Sequence, residues 1–141
     1  MKFKQFIENQ VTSQLLHQLK PQLVRAAQTV YNQWNQNEDG FDDHYGAGGI
    51  CHDIADAFCE VLYKHNIECT PFSAQIGEQH VWAIAKTDDG VYSVDIPPSY
   101  YETGAAYTWK KIPNVIFTPD FIHIDMITPD PQEFDQYADY Y

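Results

Sequence analysis

The stretch Gly49–His65, GICHDIADAFCEVLYKH, decides the fold, because its apolar residues recur three or four positions apart. From Ile50 onward this spacing predicts an amphipathic helix. Its apolar face consists of Cys51, Ile54, Ala55, Phe58, Cys59 and Leu62. Most of the charged side chains of the segment lie on the other face. We therefore expect a central helix that packs against the rest of the chain and carries Cys51 in its first turn.

The position of Cys51 suits a nucleophile. A cysteine reacts as its thiolate, and the free N–H groups and positive dipole end of a helix N-terminus stabilise that anion. The preceding Gly46-Ala47-Gly48-Gly49 lets the backbone turn sharply and lets a substrate carbonyl approach closely. A backbone amide of this turn, such as that of Cys51, is placed to stabilise an oxyanion.

A β-hairpin that follows the central helix supplies candidates for a base and its orienting partner. The patterns predict strands at 69–76, 79–86 and 91–96, and Thr87-Asp88-Asp89-Gly90 is a turn signal between the last two. Pairing across this turn makes His80 and Asp95 cross-strand neighbours on one face, provided that the register is not shifted by one residue. His80 is then the base for Cys51, and Asp95 orients His80.

The remaining segments predict an α+β chain of one domain, residues 1–141, with N-terminal helices and the central helix packed against an antiparallel sheet. Two helices are predicted at about 4–19 and 21–35, with the second starting near Pro21. The other predicted elements are a polar Gly-rich loop at 35–49, an aromatic loop at 99–109, short strands at 115–117 and 121–127, and an acidic tail at 129–141. The tail is either frayed or a short docked segment.

Three pieces of the sequence resemble the transglutaminase-like, papain-related superfamily. Gly49–Phe58 is similar to its helix that opens on a cysteine, His80-Val81-Trp82 to its His-x-Trp strand, and Asp95-Ile96-Pro97 to its aspartate before a proline turn. The match covers about residues 46–98, and 1–35 is a helical lead-in outside it. The resemblance implies a papain-like core with Cys51, His80 and Asp95 as a triad. Members include cross-linking transglutaminases, peptidases, peptide N-glycanases, deamidases and inactive proteins, so the reaction type stays open.

Several residues are candidates for substrate contacts. Papain-like enzymes tend to place an oxyanion-donating side chain upstream of the nucleophile, where Gln33, Trp34 and Tyr45 are available. The aromatic loop is either the wall of a peptide groove or core filling. The full set of substrate-binding candidates is Trp34, Tyr45, Gly49, Trp82, Tyr100 and Tyr101.

Other histidines and cysteines offer alternative interpretations. His44 and His52 flank Cys51, so either is an alternative base or a zinc ligand. The absence of a Cys-x-x-Cys motif and of four assignable ligands argues against a metal site, and no cofactor motif occurs. We assign the pair His123 and Asp125 to structure. Cys59 and Cys69 are assigned to the core, where unpaired cysteines are common.

The charge of the chain limits its partners. Eight Lys and Arg stand against 20 Asp and Glu, for a net charge of −12, which disfavours nucleic acid and leaves a protein or peptide substrate, possibly basic. No apolar run is long enough for a membrane span, and three cysteines without paired spacing favour a reducing, cytoplasmic location in the producer or in a host cell. Two hypotheses result: an enzyme that forms a thioester at Cys51, and an inactive binding or inhibitory module.

Overall fold

The computed structural model describes residues 11–36, 50–73, 80–103 and 110–138. The helices are α1 (Ser13–Gln18), α2 (Lys20–Asn35), α3 (Ile50–Lys64) and α4 (Phe134–Ala138). The strands are β1 (Cys69–Ser73), β2 (Val81–Thr87), β3 (Gly90–Asp95), β4 (Glu102–Thr103), β5 (Lys110–Lys111) and β6 (His123–Thr128). Short 3-10 helices occupy Pro98–Tyr100, Pro119–Phe121 and Pro131–Glu133. The fold is α+β, as the sequence predicts.

The main sheet has the strand order β1-β2-β3-β6, and each neighbouring pair is antiparallel. One face packs on α2 and α3, and the core between them includes Phe58 of α3 with Ala83, Ala85 and Val94 of the sheet. These residues alternate along their strands, as expected when one face of a sheet is buried by helices. The strands β4 and β5 form a separate two-stranded ribbon.

The chain leaves α3 through a tight turn that sets the direction of β1. Asn66 adopts a positive φ of 61°, and the N–H of Ile67 donates to the carbonyl of Leu62 at 3.0 Å. This is the hydrogen-bond pattern of a Schellman-type C-cap, in which asparagine is one of the few residues that tolerate the left-handed conformation. The buried Ile67 then anchors the start of the strand against the core.

The hairpin between β2 and β3 depends on Gly90, whose φ is +148°. A Cβ atom added at this position would lie 2.5 Å from the carbonyl oxygen of Thr128 on β6. Glycine is therefore required both by the backbone conformation and by the close approach of the neighbouring strand. The predicted turn at 87–90 is confirmed, with β2 extending to Thr87.

The N-terminal region follows the prediction with a shifted boundary. The helix α2 begins at Lys20, one residue before Pro21, and proline fits this first turn. Only Leu19 separates it from α1. Residues 1–10, which include the start of the predicted first helix, lie outside the described residues. Across the described segments, no helix combines the length and apolar character that a membrane span requires.

The predicted strand at 115–117 is wrong. The segment forms no strand, and its backbone groups bond to side chains of α2. Gln28 accepts from the N–H of Phe117 at 2.8 Å and donates to the carbonyl of Val115 at 3.0 Å, and the hydroxyl of Tyr31 accepts from the N–H of Val115 at 3.1 Å. The predicted strand at 121–127 forms as β6, two residues later than expected at its start.

The acidic tail is a docked segment in its described part. The helix α4 lies on the sheet face opposite α3, where Phe134 is 6% exposed and packs with Ile84 and Val91. Tyr137 of the same helix packs edge-to-face on Phe72, with ring centroids 5.2 Å apart. The sheet therefore has a second, smaller apolar cluster on its outer face.

Candidate active site

Cys51 lies in the first turn of α3, between the buried Ile50 and the rest of the apolar face. Its Sγ atom accepts a hydrogen bond from the backbone N–H of Val81 at 3.3 Å. This contact joins the helix start to the first residue of β2, directly after His80. Cys51 is only 6% exposed, so it is accessible to small groups at most in this conformation. A backbone donor aimed at sulfur and a helix N-terminus both stabilise a thiolate.

His80 and Asp95 are in contact: Nε2 of His80 lies 2.9 Å from Oδ2 of Asp95. The β2–β3 ladder pairs Ala83 with Val94, so its next step brings Asp95 level with Trp82, and His80 lies two residues farther along the same face. The predicted placement of His80 and Asp95 as cross-strand neighbours on one face is therefore confirmed, and the two form a diagonal pair that a histidine can span.

The surroundings of His80 favour its protonated form. Burial alone would lower its pKa, but the hydrogen bond with Asp95 and the nearby Cys51 thiol raise the pKa of His80 to about 9. A carboxylate that holds one ring nitrogen both orients the ring and stabilises the imidazolium. Trp82 adds a geometric constraint, because its ring stacks on that of His80 with centroids 5.6 Å apart.

The second ring nitrogen of His80 is available for proton transfer. Nδ1 is buried and has no hydrogen-bond partner of conventional geometry within the described part of the chain. Since Nε2 is bound to Asp95, Nδ1 is the nitrogen that can exchange a proton with a neighbouring group. The Cys51 thiol is close enough to influence the pKa of this ring, which makes it the natural partner of Nδ1.

A cleft of about 470 Å³ opens on the outer face of the sheet next to His80 and Asp95. Its lining residues are His80, Trp82, Ile84, Ser93, Asp95, His123, Asp125, Ile127 and Tyr137. Cys51 does not line it. Of the three candidate triad residues, His80 and Asp95 therefore line the cleft. The Cys51 sulfur lies outside it, at the start of α3.

His123 and Asp125, which the sequence assigns to structure, both line this cleft. His123 is the Cα partner of Asp95 across the β3–β6 ladder, and its Nε2 lies 3.1 Å from the hydroxyl of Tyr100. Their alternation along β6 predicts a shared face. The sequence contains no signal for the pairing of β6 with β3, which is what places them beside Asp95.

The predicted substrate contacts have different positions. Trp82 lines the cleft, and Tyr100 lies at its side through its contact with His123. Tyr101 is 0% exposed and packs edge-to-face on Trp34 at 6.1 Å, so Tyr101 fills the core and has no surface to offer a substrate. Trp34 is half-buried beneath the Lys111 ammonium. Tyr45 and Gly49 lie outside the described residues.

The alternative base His52 has a carboxylate neighbour of its own on α3. Its Nδ1 atom lies 3.5 Å from Oδ2 of Asp56, four residues later on the helix. Together with Asp53, these residues offer ligand atoms within 4.8 Å of one another and could hold a cation, although exposed acidic groups at this spacing are common without one. His44, the other alternative base, lies outside the described residues.

Comparison with known proteins gives no relatives: no family model, no curated protein and no solved structure matches the chain.

Proposed function

We propose that this protein is a cysteine-dependent hydrolase or acyltransferase with a transglutaminase-like core, acting on a peptide, isopeptide or glutamine side-chain amide. One observation carries the proposal. The Cys51 sulfur accepts from the N–H of Val81, directly after His80, and the imidazole of His80 is fixed to Asp95 at 2.9 Å. Nucleophile, base and orienting carboxylate thus follow one another in the order that thioester chemistry requires.

In the first half of the proposed reaction, the Cys51 thiolate attacks the amide carbonyl carbon. A carbon–sulfur bond forms, and the carbonyl oxygen becomes an oxyanion that backbone N–H groups at the start of α3 can stabilise. The His80 imidazolium donates its Nδ1 proton to the leaving nitrogen, and the carbon–nitrogen bond breaks. A histidine with a pKa of about 9 is protonated at neutral pH and can serve as this acid.

In the second half, water or an amine attacks the thioester. Neutral His80 accepts the proton of the incoming group through Nδ1, and Asp95 stabilises the imidazolium that results. The Cys51 thiolate leaves, and the enzyme returns to its starting state. Water gives hydrolysis or deamidation, whereas an amine gives transamidation.

The cleft supports a basic peptide as substrate. Asp95 and Asp125 contribute carboxylates to its wall, and Trp82 offers an aromatic face against which a cationic or apolar side chain can pack. The chain as a whole has a net charge of −12, which attracts cationic partners. We propose a substrate with Lys or Arg near the reacting amide.

The second candidate function is a binding or inhibitory module with the same fold and no turnover. Two observations favour it: Cys51 is 6% exposed, and the cleft is lined by His80 and Asp95 but not by Cys51. In this case the cleft binds a partner, and the triad residues contribute only to packing.

A peptide panel with mass-spectrometric readout tests the proposal. Peptides that contain glutamine flanked by Lys or Arg are incubated with the protein, with and without a primary amine. We expect cleavage, conversion of Gln to Glu, or amine incorporation, together with a peptide adduct on Cys51 that hydroxylamine releases. The adduct requires the sulfur of Cys51, so Cys51→Ala abolishes it. Cys59→Ser, which removes another thiol of the same helix, retains it.

The enzyme and the binding module give opposite results. If no peptide is converted and no adduct forms on Cys51, while wild type and Cys51→Ala bind the same peptides equally well, the enzyme proposal fails. Adduct formation without release of product would also contradict turnover, because the second half-reaction would be missing.

A further inference from the structure

The second pair of sulfur atoms in the chain lies away from the candidate triad. Cys59 is on α3, two turns after Cys51, and Cys69 is the first residue of β1. Their Sγ atoms are 2.6 Å apart. This separation is shorter than ordinary contact between two thiols and close to the length of a sulfur–sulfur bond, about 2.05 Å.

Cys59 and Cys69 are both half-buried as whole residues, and the thiol of Cys69 is buried enough to raise its pKa. The two residues are ten positions apart in the chain, and the turn after α3 brings them face to face. The sequence predicts no disulfide because it shows no paired cysteine spacing, and the folding of α3 onto β1 creates the pair.

We propose that Cys59 and Cys69 are an oxidation site that forms an intramolecular disulfide by exchange with a small-molecule disulfide. The bond covalently fastens α3, the helix that carries Cys51, to the edge strand β1. It leaves Cys51 as the one free thiol of the three in the chain. This site is independent of the proposed function.

The exchange balances in two steps. The Cys59 thiolate attacks one sulfur of the small disulfide, a mixed disulfide forms, and one small thiolate leaves. Cys69 then attacks the Cys59 sulfur, the second small thiolate leaves, and the two released thiolates take up the protons of the two cysteines. The protein loses two electrons, and one small disulfide is reduced to two thiols.

The order of attack follows from the surroundings of the two sulfurs. Burial and the neighbouring Cys59 raise the pKa of the Cys69 thiol well above its ordinary value. Cys69 is therefore protonated at neutral pH and a poor first nucleophile, whereas it needs to move only slightly to resolve a mixed disulfide at Cys59.

The test uses the full chain in buffers of oxidised and reduced glutathione. After oxidation, the denatured wild type should titrate one thiol instead of three, and its intact mass should fall by two hydrogens. A digest without reductant should contain one peptide pair joined through Cys59 and Cys69. The Cys51→Ala variant should lose both of its thiols under the same conditions without forming disulfide links between chains.

The Cys59→Ser and Cys69→Ser variants are the matched controls. Neither should form an internal disulfide, and in each variant the remaining cysteine of the pair should either stay a thiol or carry glutathione. The Tm of the wild type should be higher when oxidised than when reduced, and neither variant should show this rise. A wild type that keeps three thiols, a bond that involves Cys51, or a linkage between chains would each overturn the proposal.

Discussion

At the scale of single residues, His80 is the key residue of the candidate site, because its surroundings have opposing effects on the pKa of its imidazole. Its side chain is 19% exposed, and burial disfavours the charge, yet Asp95 at 2.9 Å and the Cys51 thiol raise its pKa to about 9. A catalytic acid is most useful when it holds its proton at the working pH and can still release it. The position of Asp95 thus determines how His80 can act.

The raised pKa predicts a pH-dependent stability. The pKa of His80 is about 9 in the folded chain and about 6.5 in an unfolded one, so the folded state gains stability that is complete below pH 6.5. As the pH rises through 9 this contribution is lost, and the free energy of unfolding should fall by at most about 3 kcal/mol. Chemical denaturation between pH 6 and 10 measures it.

The matched variant for this experiment is Asp95→Asn, which keeps the shape and removes the charge. We expect the pKa of His80 to be lower in this variant, as measured by an NMR titration of its ring protons. The loss of stability between pH 6.5 and 9 should also be smaller. If the NMR titration of His80 is the same in both proteins, Asp95 does not control its proton.

The sequence predicts these residues and the shared strand face of His80 and Asp95, but not the diagonal offset between the two. A helix start identifies Cys51, and a turn signal brings His80 and Asp95 to one face of a hairpin. The diagonal arrangement of His80 and Asp95 depends on a register offset of two residues, which the turn sequence does not determine. The proximity of His123 to Asp95 depends on a strand pairing between distant parts of the chain.

At the scale of elements, side chains of α2 take the place of a strand partner for the segment 112–117. Gln28 bonds both the N–H of Phe117 and the carbonyl of Val115, and Tyr31 bonds the N–H of Val115 and the carbonyl of Ile112. Four backbone groups of this segment thus find hydrogen-bond partners in two side chains one turn apart on a helix. The short run of β-branched and aromatic residues at 115–117 favours a strand, because residue type carries no information about which groups take the hydrogen bonds.

Removing Gln28 tests this role. In Gln28→Ala, two partly buried backbone groups lose their partners, and we expect the free energy of unfolding to fall by about 1–3 kcal/mol. Urea denaturation measures the difference. Gln33→Ala, an exposed position of the same helix, is the control and should change stability by less than about 0.5 kcal/mol. Equal effects of the two substitutions would show that Gln28 does not hold the segment.

At the scale of the whole molecule, the N-terminal helix is tied to the hairpin that carries the candidate site. Asp89 in the hairpin turn accepts from the backbone N–H of Ser13 at 3.1 Å and from its hydroxyl at 3.0 Å. Asp88 accepts from the N–H of Val11 at 2.9 Å. The turn thereby supplies an acceptor to the first N–H group of α1, which has no side-chain cap of its own, and another to the N–H of Val11 just before the helix.

This tie should weaken in acid. Burial alone would raise the pKa of Asp89, but hydrogen bonds from Thr87 and Ser13 hold it below its usual value of 3.8. The stabilisation is therefore complete above pH 3.8 and is lost as the pH falls through the lower folded value. Asp89→Asn should be less stable than wild type at pH 7, and the difference should shrink by pH 3.

Thermal unfolding at both pH values measures this difference, with the exposed Asp120→Asn as control. A gap between wild type and Asp89→Asn that is the same at pH 3 and pH 7 would contradict the assigned contacts.

The fold class follows from the sequence, because one amphipathic helix and three strand patterns leave few ways to bury their apolar faces. The second apolar cluster, on the outer face of the sheet, does not follow from the sequence. The tail is acidic and has no apolar period, so the docking of Phe134 on the outer face of the sheet becomes evident only when that face is seen to be apolar at Ile84 and Val91. The same holds for the contact between Cys59 and Cys69.

The central claim is that Cys51 is a nucleophile activated by His80. The rate of alkylation of Cys51 by iodoacetamide at pH 7, followed by peptide mass spectrometry, tests it most directly. We expect Cys51 to react faster than free cysteine, although it is only 6% exposed. The His80→Ala substitution should lower this rate by a factor of at least about ten. A Cys51 that reacts no faster than free cysteine, and at the same rate in His80→Ala, would contradict the claim.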